Sequence, residues 1–271
     1  MSCDTDIVIQ GGLWEETYDI ACEYSELDFV NDVIISTWDK ELEKISKYPQ
    51  NPNVRWVINT FPENPGPSYS DGRPGNINLA ILSSKFGVQE TTSPIVVKIR
   101  SDMHISRDSM YTLDRFFNKF SDTPSIGYTD SSGPRSQIFA LGVNSAWPYC
   151  PHDQVFWGYR EDIVDLFDLP LAAADHPMAV DVPVFRPEIY LGGYYYARFN
   201  DLVGEHLNDP KTYLIDGASK FNEAIDLSKK FDHKIFKPFP KIDMNWVKYN
   251  SGFMYDMYEA QGAIYYDNEW E

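Results

Sequence analysis

Three short β-branched runs alternate with helical patterning in the first third of the chain, and that rhythm restricts the fold more than any other feature. "DIVIQGG" (6–12) is an apolar run closed by a glycine pair, and "LWEETYDIACEY" behind it sets Leu13, Tyr18, Ile20, Ala21 and Tyr24 at helical spacing. "DVIISTWD" (32–39) precedes the helix-like "KELEKISKY", and "VRWVINT" (54–60) follows. Strand, helix, strand, helix, strand implies a parallel sheet with crossover helices.

Beyond a Pro- and Gly-rich loop, "NINLAILSSKFG" reads as a helix stopped by Gly87, and "SPIVVKIRSDMHIS" (93–106) as a buried fourth strand ending in charge. "SRDSMYTLDRFFNKF" carries the apolar stripe Met110, Leu113, Phe116, Phe117, Phe120, with Ser106 as its N-cap. From Ser125 onward "SIGYTD", "SQIFALGV" and "DQVFWGYR" read as strands, "EDIVDLFDL" as a short helix, and the aromatic tail as a wrap. The expectation is a single α/β domain. Its nucleotide-binding half covers about residues 1–124, and a more antiparallel substrate-binding half, with the C-terminal wrap, about residues 125–271.

A formal net charge of −18 argues against a nucleic-acid partner, because phosphate backbones are bound through Lys and Arg. The acids are spread along the chain, which fits simple solubility. Cys3, Cys22 and Cys150 form no CxxC pattern, so neither a disulfide framework nor a thiolate zinc site is implied. The start, "MSCDTDIVIQGG", has no basic n-region, and no apolar run approaches the roughly 18 residues that span a bilayer. No transmembrane segment and a cytoplasmic location are expected.

The charged end of the fourth strand is the candidate site. If strand alternation persists, Lys98, Arg100, Asp102 and His104 share one side. Ligands of open α/β sheets bind beyond the carboxyl ends of the strands, where this cluster falls. Asp102 and His104 can ligate one divalent cation, Mn2+ or Mg2+, which in turn holds a diphosphate, with Arg100 and Lys98 as further phosphate contacts. An Arg–Asp ion pair with a solvated His104 explains the same residues.

"VVKIRSDMHI" and the upstream "NINLAILSSKFGV" resemble the central block of the WavE-type lipopolysaccharide-synthesis proteins, where an Asn…Ser…Gly helix leads into a Lys-x-Arg-Thr/Ser-Asp strand. "HDQVFWGYREDIVDLFDLP" is similar to that family's following block and "RPEIYLGGYYY" to its Pro-Glu helix, in order over roughly residues 5–200. The resemblance implies a GT-A-like fold: a Rossmann-like mixed sheet flanked by helices, in a glycosyltransferase moving a sugar from a UDP- or GDP-sugar to a surface-glycan hydroxyl. It also places Ser101-Asp102-Met103-His104 where such enzymes carry Asp-x-Asp; with histidine in the second acidic position, two arrangements stay open, His104 as a metal ligand or Arg100 and Lys98 carrying the phosphates without a metal.

Around that centre, Gln10, Gly11 and Gly12 can floor the nucleotide, and Asp39 resembles the acid that bonds its base or ribose; a helix-capping role for Asp39 fits as well. Asn76 and Asn78 open a helix with Arg73 before it and Lys85 along it, placing a helix N-terminus where donor phosphates can lie. Glu188 is the first candidate for general base and Asp153, beside His152, the second. Lys248 is a candidate to close over the diphosphate. Trp147, Tyr149, Trp157, Tyr194 and Tyr195 can line an acceptor cleft or fill the core. Two other classes remain open. A nucleotidyltransferase would want a basic loop after the first strand, and a noncatalytic glycan- or nucleotide-binding protein is permitted by His104.

Overall fold

The computed structural model describes residues 4–68, 75–121, 137–144, 146–176, 187–215, 217–231, 235–242, 244–247 and 263–264. Strand β1 (Thr5–Gln10) is buried along its length. It pairs in parallel with β2 (Val30–Trp38) on one side and β4 (Ile95–Arg100) on the other, and β3 (Val54–Asn59) continues the sheet beyond β2. Beyond β4 the direction reverses: β8 (Val155–Tyr159) runs antiparallel to it, followed by β6 (Ile138–Ala140) and β9 (Phe236–Pro238). The seven strands lie in the order β3-β2-β1-β4-β8-β6-β9. Three parallel strands wound one way from β1 and a fourth on its other side form a Rossmann-like mixed sheet, the GT-A-like class that the sequence pattern and the resemblance led us to expect.

Side chains alternate along these strands, so each face of the sheet has its own core. Ile7, Ile9, Val33, Ile35, Val97 and Ile99 pack with helices α1 (Thr17–Ser25) and α4 (Arg107–Phe120). Val8, Ile34, Val96 and Phe156 pack with α3 (Ile77–Gln89), α5 (Arg160–Phe167) and α6 (Pro187–Ala197). In α4 the expected stripe is buried at Met110, Leu113, Phe116 and Phe117, each side chain contributing about 1.5–3 kcal/mol by its removal from water. Ser106 caps the helix, its side-chain oxygen accepting from the Ser109 N–H.

Three local readings need correction. Helix α3 runs through Gly87 to Gln89. The glycine is a point of close approach: an added Cβ would lie 2.5 Å from Val8 Cγ1 and 2.8 Å from Ser36 Cβ. "KELEKISKY" shrinks to a 3-10 turn (Asp39–Glu41) and the single helical turn α2 (Leu42–Ile45). It buries no residue of α2, so no packed apolar face repays nucleation of a longer helix. Strand β4 ends at Arg100; the chain turns at Ser101 and Asp102, and β5 (Met103–Ile105) leaves the main sheet to pair with β10 (Met244–Trp246). The "SIGYTD" segment lies outside the described residues.

Candidate active site

A cleft of about 370 Å³ opens at the carboxyl ends of β1, β2 and β4. That position is the topological switch point, where the connections on either side of β1 diverge and leave a crevice. Its floor and walls include Gln10, Gly11, Gly12, Arg100, Asp102 and Asp153, with Glu188 on α6.

The loop after β1 is fitted closely against the end of β4. Gly11 sits at φ +127°, and a Cβ there would lie 2.6 Å from Ser101 Oγ, so only glycine fits. Ser101 Oγ donates to the Gly12 carbonyl at 2.7 Å, and the Ser101 N–H to the Gln10 carbonyl at 2.9 Å. Gln10 Oε1 accepts from Ser83 Oγ on α3 at 2.7 Å.

Arg100 organises the charge. Its Nε and Nη2 donate to Asp102 Oδ1 and Oδ2 at 3.0 and 2.8 Å, and its Nη1 to Asp153 Oδ1 at 3.3 Å. Both carboxylates have side chains only 9% exposed. Burial alone would raise the Asp153 carboxyl, but the Arg100 and Lys98 charges more than offset it and hold the group below the usual range. Lys98 is fully buried, its Nζ donating to the Asp153 main-chain oxygen with the Phe156 and Phe167 rings at 5.6 and 5.7 Å. Burial pushes its amine down to about 8, against the opposing pull of Asp153. His152 is buried too and pushed down to about 4, so it is neutral at pH 7.

Sequence reading and structure diverge at His104. The turn at Ser101–Asp102 breaks the two-residue alternation, so Asp102 faces the cleft while His104 pairs with Glu23 at 3.0 Å and lies beside the Tyr24 ring. Asp102 and His104 are therefore not brought together. Among the described residues no group of three His, Cys, Asp or Glu side chains is placed to hold a metal ion. With both Asp102 oxygens engaged by Arg100 and His104 turned to Glu23, this pair does not fit a divalent cation as a donor set.

Other candidates are placed as follows. Asn78 is fully buried and clasps two loops: its Nδ2 donates to the carbonyls of Asn64 (3.2 Å) and Ala172 (2.9 Å), and its Oδ1 accepts from the Ala172 N–H (2.7 Å). Its neighbour Asn76, not Asn78, lines the cleft. Lys85 pairs with Asp168 at 2.7 Å, joining α3 to the end of α5. Asp39 Oδ1 accepts from the Phe61 N–H at 3.3 Å and does not line the cleft, although Trp38 beside it does. Arg73 and Lys248 lie outside the described residues. Tyr149, Trp157 and Tyr195 are core residues, and neither Trp147 nor Tyr194 reaches the cleft.

The aromatic walls of the cleft are Trp14 and Trp38, which sequence reading passed over. Trp38 is the last residue of β2 and Trp14 follows the end of β1, and their place at the ends of strands that border the switch point was the available signal. Ser101 was legible as part of the Ser101–His104 string, but its bonds to the Gly12 and Gln10 carbonyls were not.

No family model matches the chain, and no curated protein does. Structurally similar chains include S. aureus TarS in complex with UDP-GlcNAc, at 12% identity and TM-score 0.39, covering 73% of this chain and 54% of that one. Another is 4-diphosphocytidyl-2C-methyl-D-erythritolsynthase from Anaerococcus prevotii, at 10% identity and TM-score 0.38, covering 64% and 81%. HddC from Yersinia pseudotuberculosis matches at 13% identity and TM-score 0.32, covering 59% and 79%. Against one longer TarS chain, the protein spans 33% of the length. At these scores the likenesses carry nothing about the reaction, and none bears on the WavE-type family. Among the described residues no helix is long and apolar enough to cross a membrane.

Proposed function

We propose that the protein is a glycosyltransferase that takes a sugar from a UDP- or GDP-sugar and passes it to a glycan hydroxyl, as the WavE-type resemblance implies. One observation carries the reading: the cleft lies at the switch point, with Arg100 and Asp102 at its floor and Glu188 on α6 at its wall. The aromatic faces of Trp14 and Trp38 suit a base or a sugar ring.

In this reading Glu188 takes the acceptor hydroxyl proton as that oxygen bonds to the anomeric carbon. The bond from that carbon to the diphosphate oxygen breaks, and its electron pair leaves with the diphosphate towards Arg100. Asp153 serves less well as the base, because its carboxyl is paired with Arg100 and held low. A nucleotidyltransferase is less well supported: the loop from Gly11 to Glu16 contains two glutamates and no cation to grip a triphosphate.

The test is thermal stability with UDP and GDP, followed by hydrolysis of a panel of nucleotide-sugars. A nucleotide-dependent rise in melting temperature is expected, with sugar release lost in Glu188→Gln. Nucleotide binding with no release from any donor would favour the noncatalytic binding protein, and no binding would end the nucleotide reading.

A further inference from the structure

The failure of Asp102 and His104 to converge leaves open what holds the phosphates, and the arrangement of Arg100 supplies an answer. In a strand-end acidic site a cation is needed because carboxylates facing a cleft cannot hold a diphosphate against like-charge repulsion. Here a cation already lies between them. The guanidinium bridges Asp102 and Asp153 through three hydrogen bonds of 3.0, 2.8 and 3.3 Å. Lys98 stands directly beneath, bonded to the Asp153 main chain, so two cations balance the two buried carboxylates without an added ion.

Arg100 is also the one cationic side chain among the described residues lining the cleft, and 24% of its side-chain surface remains exposed. A planar fork fixed at its edge by two carboxylates is oriented before any ligand arrives. Lysine in its place would offer a point charge with no fixed plane.

Building on the nucleotide reading of this cleft, we propose that Arg100 occupies the position of the divalent cation, so that the protein binds the diphosphate of its nucleotide ligand without a metal. Asp102 and Asp153 are then positioning residues that aim the guanidinium.

Calorimetric titration of the full chain with UDP and with GDP, each in EDTA and in excess Mn2+ or Mg2+, tests this directly. The expected result is binding whose Kd differs by less than about fivefold between the two conditions. Binding seen only with the cation, or tightened by it beyond that margin, overturns the proposal and leaves the nucleotide reading standing. No binding under either condition overturns both. Arg100→Lys keeps the charge and gives a variant whose folding is checked by its melting temperature. In EDTA it should bind at least about fivefold more weakly, and undiminished binding overturns the assignment to Arg100.

Discussion

Replacing Lys98 by methionine should leave the protein folded and change how its stability depends on pH. The amine is 1% exposed and its pKa is held at about 8 against an ordinary value of 10.5. Because the folded value is the lower one, the folded state releases its proton first as pH rises, and between the two values the unfolded chain binds more protons. Stability must therefore climb with pH across that window. Below it the charged amine carries the whole penalty of its burial, on the order of 3 kcal/mol at 1.36 kcal/mol per unit.

Methionine matches the volume and escapes that penalty, but it leaves the Asp153 carbonyl without the Lys98 donor, at a cost of about 1–3 kcal/mol. Near pH 7 the two changes largely offset. From about pH 7 to about pH 9.5 the parent should then gain roughly 2 kcal/mol relative to the variant. Urea unfolding of both proteins across that range measures the difference. Parallel stability curves would show that the amine is not a buried charge. A variant that cannot fold would show that Lys98 serves mainly to balance Asp153.

Gly11→Ala should cost about 1–3 kcal/mol and abolish the nucleotide-induced thermal shift, since its Cβ would displace Ser101 at a φ of +127°. Asn78→Leu should lower stability by about 2–4 kcal/mol in denaturant melts by stranding the Ala172 backbone groups it bonds, and Asn78→Asp, which keeps the acceptor for the Ala172 N–H but sets a buried carboxylate oxygen against the Asn64 and Ala172 carbonyls, should cost no less. Asp6 is shifted in the same direction for the opposite reason, because its charged form is stabilised. Burial would raise its carboxyl, but hydrogen bonds from the Ser93 and Thr92 N–H groups and the Ser93 and Asn31 side chains hold it below 3.8. That stability is present above the unfolded value and lost as pH falls through the folded one, so Asp6→Asn should flatten the acid limb of a stability–pH profile.

The parallel core was legible because strands buried on both faces must be apolar along their whole length: the runs around Ile7, Ile34 and Val97 could hardly serve otherwise. What failed to show were features decided by contacts distant in sequence. Gly87 resembles a helix stop until Val8 and Ser36 are seen pressed against it. His104 looks like a partner of Asp102 because strand alternation is a local rule, and only the pairing of β5 with β10 reveals that the strand has already turned. Asn78 sits in the helix expected to face the ligand, yet its amide is spent on a loop almost a hundred residues away. The charge at the end of β4 was visible as composition, while its division into a bridging arginine, a submerged lysine and two tied acids was not.

The reversed run of β8 bears on how this cleft can vary. Because that strand travels against its neighbour, its beginning lies at the end of the sheet where the parallel strands finish, and Asp153 reaches the floor from the segment leading into it. Lengthening or shortening the connection between β6 and β8 would thus reshape one wall of the cavity without shifting the register of β1, β2 or β4. Specificity could drift along that connection while the scaffold stayed the same.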